Sequence, residues 1–226
     1  MGEGPYINGH RMNSVRRAIL KWFGEHGRDL PWRHSENSFH ILLAEILLRR
    51  TTAAAVARVY PGFVNRFNEP GTLARARLHT LEKKVSSLGL QSIRARHLRE
   101  AAKRIVLEHN GTVPQEEVAL RALPGVGRYV SAAVRNFAFG IAEPMVDGNV
   151  VHLMNRVFST GFTGPDDSKA WLFMGHFGGR NQRKQLYWGI IDLVSAVCLR
   201  RSPRCSQCPL NEYCDFRHTL PSPNPG

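Results

Sequence analysis

The stretch of sequence that decides the fold reads LPGVGRY and occupies residues 123–129. It lies between two segments of helical periodicity, so Leu123 and Val126 can anchor a turn to the core. Its two glycines allow positive φ angles and close approach by another backbone. The amides of such a turn, together with a helix N-terminus near Arg128, would form a pocket for a phosphate. An ordinary connection between helices is the alternative, and the arginine directly after the turn favours the phosphate pocket.

The segments on both sides of this turn are almost all helical in pattern. Apolar residues recur at helical spacing in eight segments, which are 13–26, 38–50, 54–68, 92–108, 128–139, 149–158, 168–176 and 183–197. Gly and Pro separate these segments, and period-two strand patterns do not occur. The sequence therefore predicts an all-α chain of roughly ten short helices.

The composition points to a polyanionic partner. Among 226 residues, 31 Lys and Arg face 18 Asp and Glu, which gives a formal net charge of +13, and the 42% hydrophobic fraction is enough for a core. An apolar run of about eighteen residues, as a membrane helix needs, does not occur, so we expect no membrane partner. The start lacks a secretory layout, and we expect an intracellular protein of the cytoplasm or nucleoid. Nucleic acid is the first candidate partner, although a ribosomal or structural binding protein would share this charge.

All four cysteines lie near the chain end, in the spacing C-x6-C-x2-C-x5-C. They are Cys198, Cys205, Cys208 and Cys214. Their confinement to residues 198–214, which we call the cysteine strap, argues against a disulfide framework for the whole chain. Two alternatives remain, a structural zinc site or a cubane iron–sulfur cluster. The long first gap and the single C-x2-C pair favour the cluster.

Three motifs in this order resemble the helix-hairpin-helix DNA glycosylases of the endonuclease III superfamily. They are LPGVGRY, then VDGNV at 146–150, then the cysteine strap. The stretch DLPWRHSENSFHILLAEILLRRTT at 29–52 most resembles the Mig-type thymine-DNA mismatch glycosylases. Adenine glycosylases of the MutY type share PWR, the glutamate and DGN, but carry glutamines where this chain has Arg49 and Arg50.

The resemblance implies two lobes with DNA gripped between them. Residues 34–142 would form a six-helix barrel with the helix-hairpin-helix. Residues 12–33 and 143–226 would form a helical iron–sulfur domain from both chain ends. One [4Fe-4S] cluster on the four cysteines, a monomer, and double-stranded DNA with a mismatched or damaged base as partner are further expectations.

Asp147 is the first candidate for the chemistry. Breaking an N-glycosidic bond generates positive charge on the sugar, which a buried carboxylate can stabilise, and a second acidic group can assist the departing base. Asp147 follows the apolar pair Met145-Val146 at the entrance to a helix, where capping is its ordinary role. The two roles are compatible, and the motif match makes it the catalytic aspartate.

Glu45 is the second candidate. Its helical neighbours are mostly aliphatic, and a glutamate there is costly unless it is paired or used. A simple pair with Arg49 is the alternative. Burial would favour the protonated form and suit a proton donor, and the resemblance places a functional glutamate here.

Tyr129 stands where bifunctional relatives carry the lysine that forms a Schiff base. A phenol cannot do so, and no lysine lies between Lys103 and Lys169. The resemblance therefore implies a catalytic-site tyrosine in a glycosylase without lyase activity, although plain helix packing is an alternative for Tyr129.

The remaining predicted DNA contacts lie in two turns. The hairpin would contribute Leu123, Pro124, Gly125, Val126, Gly127 and Arg128. The end of the 38–50 helix would contribute Leu48, Arg49 and Arg50. Arginine suits the acceptor edge of guanine, and Leu48 or a neighbour could act as a wedge in the base stack. His152 and Arg156 could face DNA or plain solvent.

The leading hypothesis is a thymine/uracil glycosylase acting on T:G and U:G mismatches, favoured by Arg49 and Arg50. An adenine glycosylase acting on A:8-oxoguanine or A:G is the main rival, and Gly148 slightly favours it. Only twelve residues follow Cys214, so we expect no 8-oxoguanine-recognition domain. A non-catalytic DNA-binding iron–sulfur module is the third reading.

Overall fold

The computed structural model describes residues 9–178 and 184–220. Within them lie the helices α1 (Gly9–His26), α2 (Ser38–Leu47), α3 (Ala53–Arg66), α4 (Pro70–Ala74), α5 (Leu78–Val85), α6 (Gln91–Glu108), α7 (Glu117–Ala122), α8 (Arg128–Phe139), α9 (Gly148–Phe158), α10 (Ser168–Gly178), α11 (Lys184–Ala196) and α12 (Asp215–Thr219). None of the described residues forms a strand, and the predicted all-α class is confirmed. Across the same residues, every helix is too short or too polar to span a bilayer.

The chain divides into two compact units. One spans Asp29–Ile141, and the other combines the chain up to Arg28 with the chain from Ala142 onward. The predicted boundaries lay just before residue 34 and just after residue 142. The earlier first boundary has a packing reason, because the buried Trp32 ring meets Tyr60 edge-on with 5.6 Å between centroids.

The Asp29–Ile141 unit is built around α2. Six helices of six or more residues, α2, α3, α5, α6, α7 and α8, form this unit together with the five-residue α4. Helix α2 is apolar on all sides and packs against α3, α6 and α8, so it lies in the core. The predicted six-helix unit with its helix-hairpin-helix is thereby confirmed.

The second unit joins the two ends of the chain. Helix α1 packs on α11, where a Cβ on Gly189 would lie 2.8 Å from Ile19 Cγ2, so only glycine fits there. Arg28 donates from its main-chain amide and from Nε to the buried Asp192 carboxylate, both at 2.8 Å. Arg11 donates to the Val157 carbonyl at 2.6 Å. These contacts bind the N-terminal helix to elements beyond residue 141.

Several predicted helix bounds were wrong. Helix α2 ends at Leu47 rather than at residue 50, because the carbonyls of its last turn bond to a distant side chain described below. Pro70 is the first residue of α4, where its fixed φ suits the first helical position. Helices α4, α5, α7 and α12 were not predicted, because each has eight residues or fewer and so shows too little of a periodic apolar pattern.

Candidate active site

The Asp147 carboxylate is held at the N-terminus of α9. Its Oδ1 accepts hydrogen bonds from the amides of Asn149 at 2.9 Å and Val150 at 2.8 Å, and Oδ2 accepts from Asn149 Nδ2 at 2.8 Å. The preceding Met145 and Val146 are fully buried, which fixes the chain that leads into the helix. The side chain is therefore fixed in orientation, as a capping residue and as a candidate catalytic group.

Opposing effects act on the charge of Asp147. Burial raises the pKa of this carboxyl above its ordinary value, while the donors from Val150 and Asn149 and the charge of Arg200 lower it, with burial the largest effect. Some of the side chain remains accessible to solvent. A partly buried carboxylate at the positive end of a helix is suited to meeting a positive charge that develops beside it.

Residues of the cysteine strap contact the Asp147 turn and α9. Arg200 Nη2 donates to the Gly148 carbonyl at 3.0 Å. His152 Nε2 donates to the Cys198 carbonyl at 2.9 Å, and Arg156 Nη1 donates to the Leu199 carbonyl at 2.8 Å. His152 and Arg156 therefore bind the strap, which was neither of the two roles considered from the sequence.

The four cysteines line one cavity in the second unit. Cys198 and Cys214 are buried, and Cys205 and Cys208 are half-buried. Burial, with smaller contributions from the other three thiols, raises the pKa of Cys208 to about 12. Four thiolates are the donor set of an iron–sulfur cluster, and binding of its irons would stabilise the ionised form of these thiols. Among the described residues, no three His, Cys, Asp or Glu side chains gather as a single metal ion requires.

Glu45 lies in the interior of α2, and its side chain is 5% exposed. Ile41, Leu42 and Ala44 beside it are buried as well. The structure thus confirms the aliphatic surroundings expected from the sequence.

The hairpin has the predicted conformation. Leu123 and Val126 are buried, and the Val126 amide closes the turn on the Leu123 carbonyl at 3.0 Å. Gly125 has a φ of +86°, and a Cβ there would lie 3.0 Å from His97 Cβ. Gly127 precedes α8 without a side-chain cap, and Arg128 is exposed. The uncapped amides at the start of α8 can therefore meet an anion. Pro124 is half-buried in the same turn.

The turn after α2 places its two arginines differently. Arg49 Nη1 donates to the Gly125 carbonyl at 3.2 Å, so this side chain binds the hairpin. Arg50 is exposed and has a φ of +52°. Leu48, the predicted wedge, is half-buried against the core, whereas Leu90, which sequence reasoning missed, is 49% exposed with a φ of +51°. Arg49, Arg50 and Leu90 share the lining of a cavity of about 270 Å³.

Tyr129 lies in the first turn of α8. It is half-buried and packs partly against the core of its unit.

Two residues of the site were missed from the sequence. The only sequence signal that could have identified Leu90 was the glycine before it, and the only one for Arg200 was its position in the cysteine strap.

Comparison with known proteins identifies the family. Residues 43–170 match the HhH-GPD superfamily of base excision DNA repair proteins, and residues 198–214 match the iron–sulfur binding domain of endonuclease III. The chain belongs to this superfamily and is a DNA N-glycosylase that binds DNA and carries an iron–sulfur centre. The domain match favours iron–sulfur over zinc, and the membership disfavours a non-catalytic module.

Individual relatives are similar over most of the chain. A thymine/uracil-DNA glycosylase of Pyrobaculum aerophilum is 36% identical over 89% of this chain and 90% of its own. An adenine DNA glycosylase of Mycobacterium tuberculosis is 34% identical over 98% of this chain and 73% of its own. The solved structure of a thermostable thymine-DNA glycosylase superposes with a TM-score of 0.88 at 30% identity, covering 93% of this chain and 98% of that one.

Proposed function

We propose that this chain removes thymine or uracil paired opposite guanine in duplex DNA, by hydrolysis that leaves an abasic site. The observation that carries the proposal is the Asp147 carboxylate, held by three donors at the start of α9. The similarity to a thymine/uracil glycosylase along 90% of that protein supports the choice of base.

Asp147 would stabilise the positive charge that develops on the sugar as the bond to the base lengthens. The base must first leave the stack, since its sugar carbon cannot be reached within a duplex. Glu45 would supply the second acidic group, which protonates the departing base or holds the water. The attacking water adds to the sugar carbon, and the base leaves with the bonding electrons and a proton.

Recognition of the duplex would be divided between the hairpin and the turn after α2. The hairpin amides and Arg128 would bind a backbone phosphate. Arg50 would donate to the acceptor edge of the opposite guanine, and Leu90 would fill the stack. Arg49, which binds the Gly125 carbonyl, would connect the two turns.

The four cysteines would hold one [4Fe-4S] cluster. Bound there, the cluster would supply a structural and DNA-positioning centre. The strap around it carries Arg200, whose bond to the Gly148 carbonyl supports the Asp147 turn. Four irons and four sulfides per protein chain, in a protein that elutes as a monomer, are the expected analytical result.

Tyr129 supports hydrolysis without strand cleavage. Its phenol cannot form the Schiff base on which lyase activity depends. We therefore expect borohydride to leave wild-type protein uncoupled from substrate DNA, and efficient trapping would refute this part of the proposal.

The function is tested with duplexes that carry T:G, U:G, A:G, A:8-oxoguanine or matched T:A, each with and without alkali. Strand breaks at T:G and U:G only after alkali would support the proposal. Breaks at adenine would instead support the second candidate, an adenine glycosylase. That candidate has a specific basis in the Asp147-Gly148-Asn149 tripeptide and in the 34% identity to an adenine glycosylase.

A further inference from the structure

Arg94 is a buried cation whose role the chemistry above does not explain. Its side chain is 3% exposed in α6. All its described partners are main-chain carbonyls: Nη1 donates to Ile46 and Leu47 at 2.9 Å, Nη2 to Arg49 at 2.9 Å and Leu88 at 3.4 Å, and Nε to Gly89 at 3.4 Å. Burial, and then the charge of Arg49, lower its pKa, so this position is electrostatically costly for a cation.

The bonded carbonyls belong to two turns. Ile46 and Leu47 lie in the last turn of α2. Carbonyls in a last turn accept no hydrogen bond within the helix, and they lie at the negative end of the helix dipole. Leu88 and Gly89 lie in the turn that precedes α6. One guanidinium can serve both turns because its five donors fan out in a fixed plane.

Each turn continues into a strained residue. Arg50 has a φ of +52° and Leu90 a φ of +51°, in the left-handed region that residues with side chains rarely adopt. The bonded carbonyl of Arg49 is part of the peptide that leads into Arg50, and that of Gly89 is part of the peptide that leads into Leu90. Such conformations persist only when the surroundings fix them, and here the common neighbour is Arg94.

We propose that Arg94 is a positioning residue that holds Arg50 and Leu90 in the conformation with which they enter the DNA stack. This rests on the proposed function only in giving those two residues the DNA-entering role. Arg94 itself touches neither the base nor the reacting sugar. Its loss should therefore impair opening of the stack and spare the step that cleaves the bond.

The test compares Arg94→Met and Arg94→Lys with Arg99→Met. Arg99 lies on the same helix, but its partner is the Glu100 carboxylate, so its removal leaves no turn carbonyl unbonded. Single-turnover excision is measured on a paired U:G duplex and on the same uracil within an unpaired bubble. Fluorescence of a 2-aminopurine beside the uracil reports unstacking on binding.

We expect Arg94→Met to slow excision at least tenfold on the paired duplex and less than threefold on the bubble, with a smaller fluorescence rise. Arg94→Lys keeps the charge but loses the planar set of guanidinium donors, so its excision rate on the paired duplex should lie between those of Arg94→Met and wild type. Arg99→Met should match wild type. Equal losses on both substrates, or no loss on either, would overturn the proposal.

Two controls keep the test decisive. Circular dichroism melting shows whether each variant folds, and if Arg94→Met does not, the ratio of the two rates in Arg94→Lys decides. If wild type excises no uracil, the proposed function fails, but the fluorescence rise still compares the variants and tests Arg94.

Discussion

Two helix regions each hold one carboxylate, and they hold it in contrasting ways. Asp147 stands at the start of α9, where two amides and a side-chain amide donate to it. Glu45 lies inside α2 among buried aliphatic side chains. We expect Asp147 to meet the positive charge that develops on the sugar, and Glu45 to act on the departing base or on the attacking water. Removing each in turn should therefore produce different defects.

The largest effect is expected for Asp147→Asn. Loss of the negative charge beside the sugar should reduce the single-turnover excision rate by about a thousandfold. Asparagine still caps the helix, and because burial raises the pKa of Asp147 in the folded state, its ionised form opposes folding at neutral pH. The free energy of unfolding should thus not fall, as thermal melting will measure.

Asp147→Ala serves as the matched control for capping. It should lose the same activity and, in addition, about 1 kcal/mol of stability, because the α9 amides lose their acceptor. An Asp147→Asn variant within tenfold of the wild-type rate would remove Asp147 from the chemistry.

A smaller loss is expected for Glu45→Gln. The amide keeps the size and much of the hydrogen-bonding capacity of the side chain but cannot supply the proton, so the excision rate should fall about a hundredfold. Glu100→Gln, a half-exposed glutamate of α6 that binds Lys103, is the control and should retain full activity. Rates that are equal for Glu45→Gln and wild type would leave Asp147 as the sole functional carboxylate of the pair.

The smallest effect is expected for Gly125→Ala, which leaves both carboxylates in place. The positive φ and the 3.0 Å approach to His97 should cost about 1–3 kcal/mol of stability and weaken DNA binding. Excision by saturating enzyme should change little. Gly127→Ala is the control, because its φ of −90° is open to alanine and no atom lies within 4 Å of the added Cβ. A melting temperature equally low for both variants would contradict the strain argument.

Locally determined features were predictable from the sequence. Helix α8 begins and ends at the predicted residues 128 and 139, because Gly127 and Gly140 bound it and its apolar periodicity is strong. The hairpin was predictable for the same reason, since its glycines and buried anchors are neighbours in sequence.

Contacts between distant residues were not predictable. The end of α2 depends on Arg94, 47 residues from Leu47, and Arg49 binds the carbonyl of Gly125, 76 residues away. Arg94 falls on the same helical face as the buried Leu98 and Ile105, but no local pattern predicts which carbonyls it binds. The two arginines of the α2 turn therefore looked alike in sequence, although only one of them binds the hairpin.

The pH dependence of single-turnover excision on a U:G duplex, compared between wild type and Glu45→Gln, tests the central claim most directly. Burial raises the pKa of Asp147. As the pH is lowered, the wild-type rate should therefore begin to fall while the pH is still above the ordinary aspartate pKa of about 3.9. Circular dichroism at each pH confirms that the protein is folded. The account predicts the same acid limb in Glu45→Gln on a lower plateau, and loss of that limb would make Glu45 the group that must be ionised.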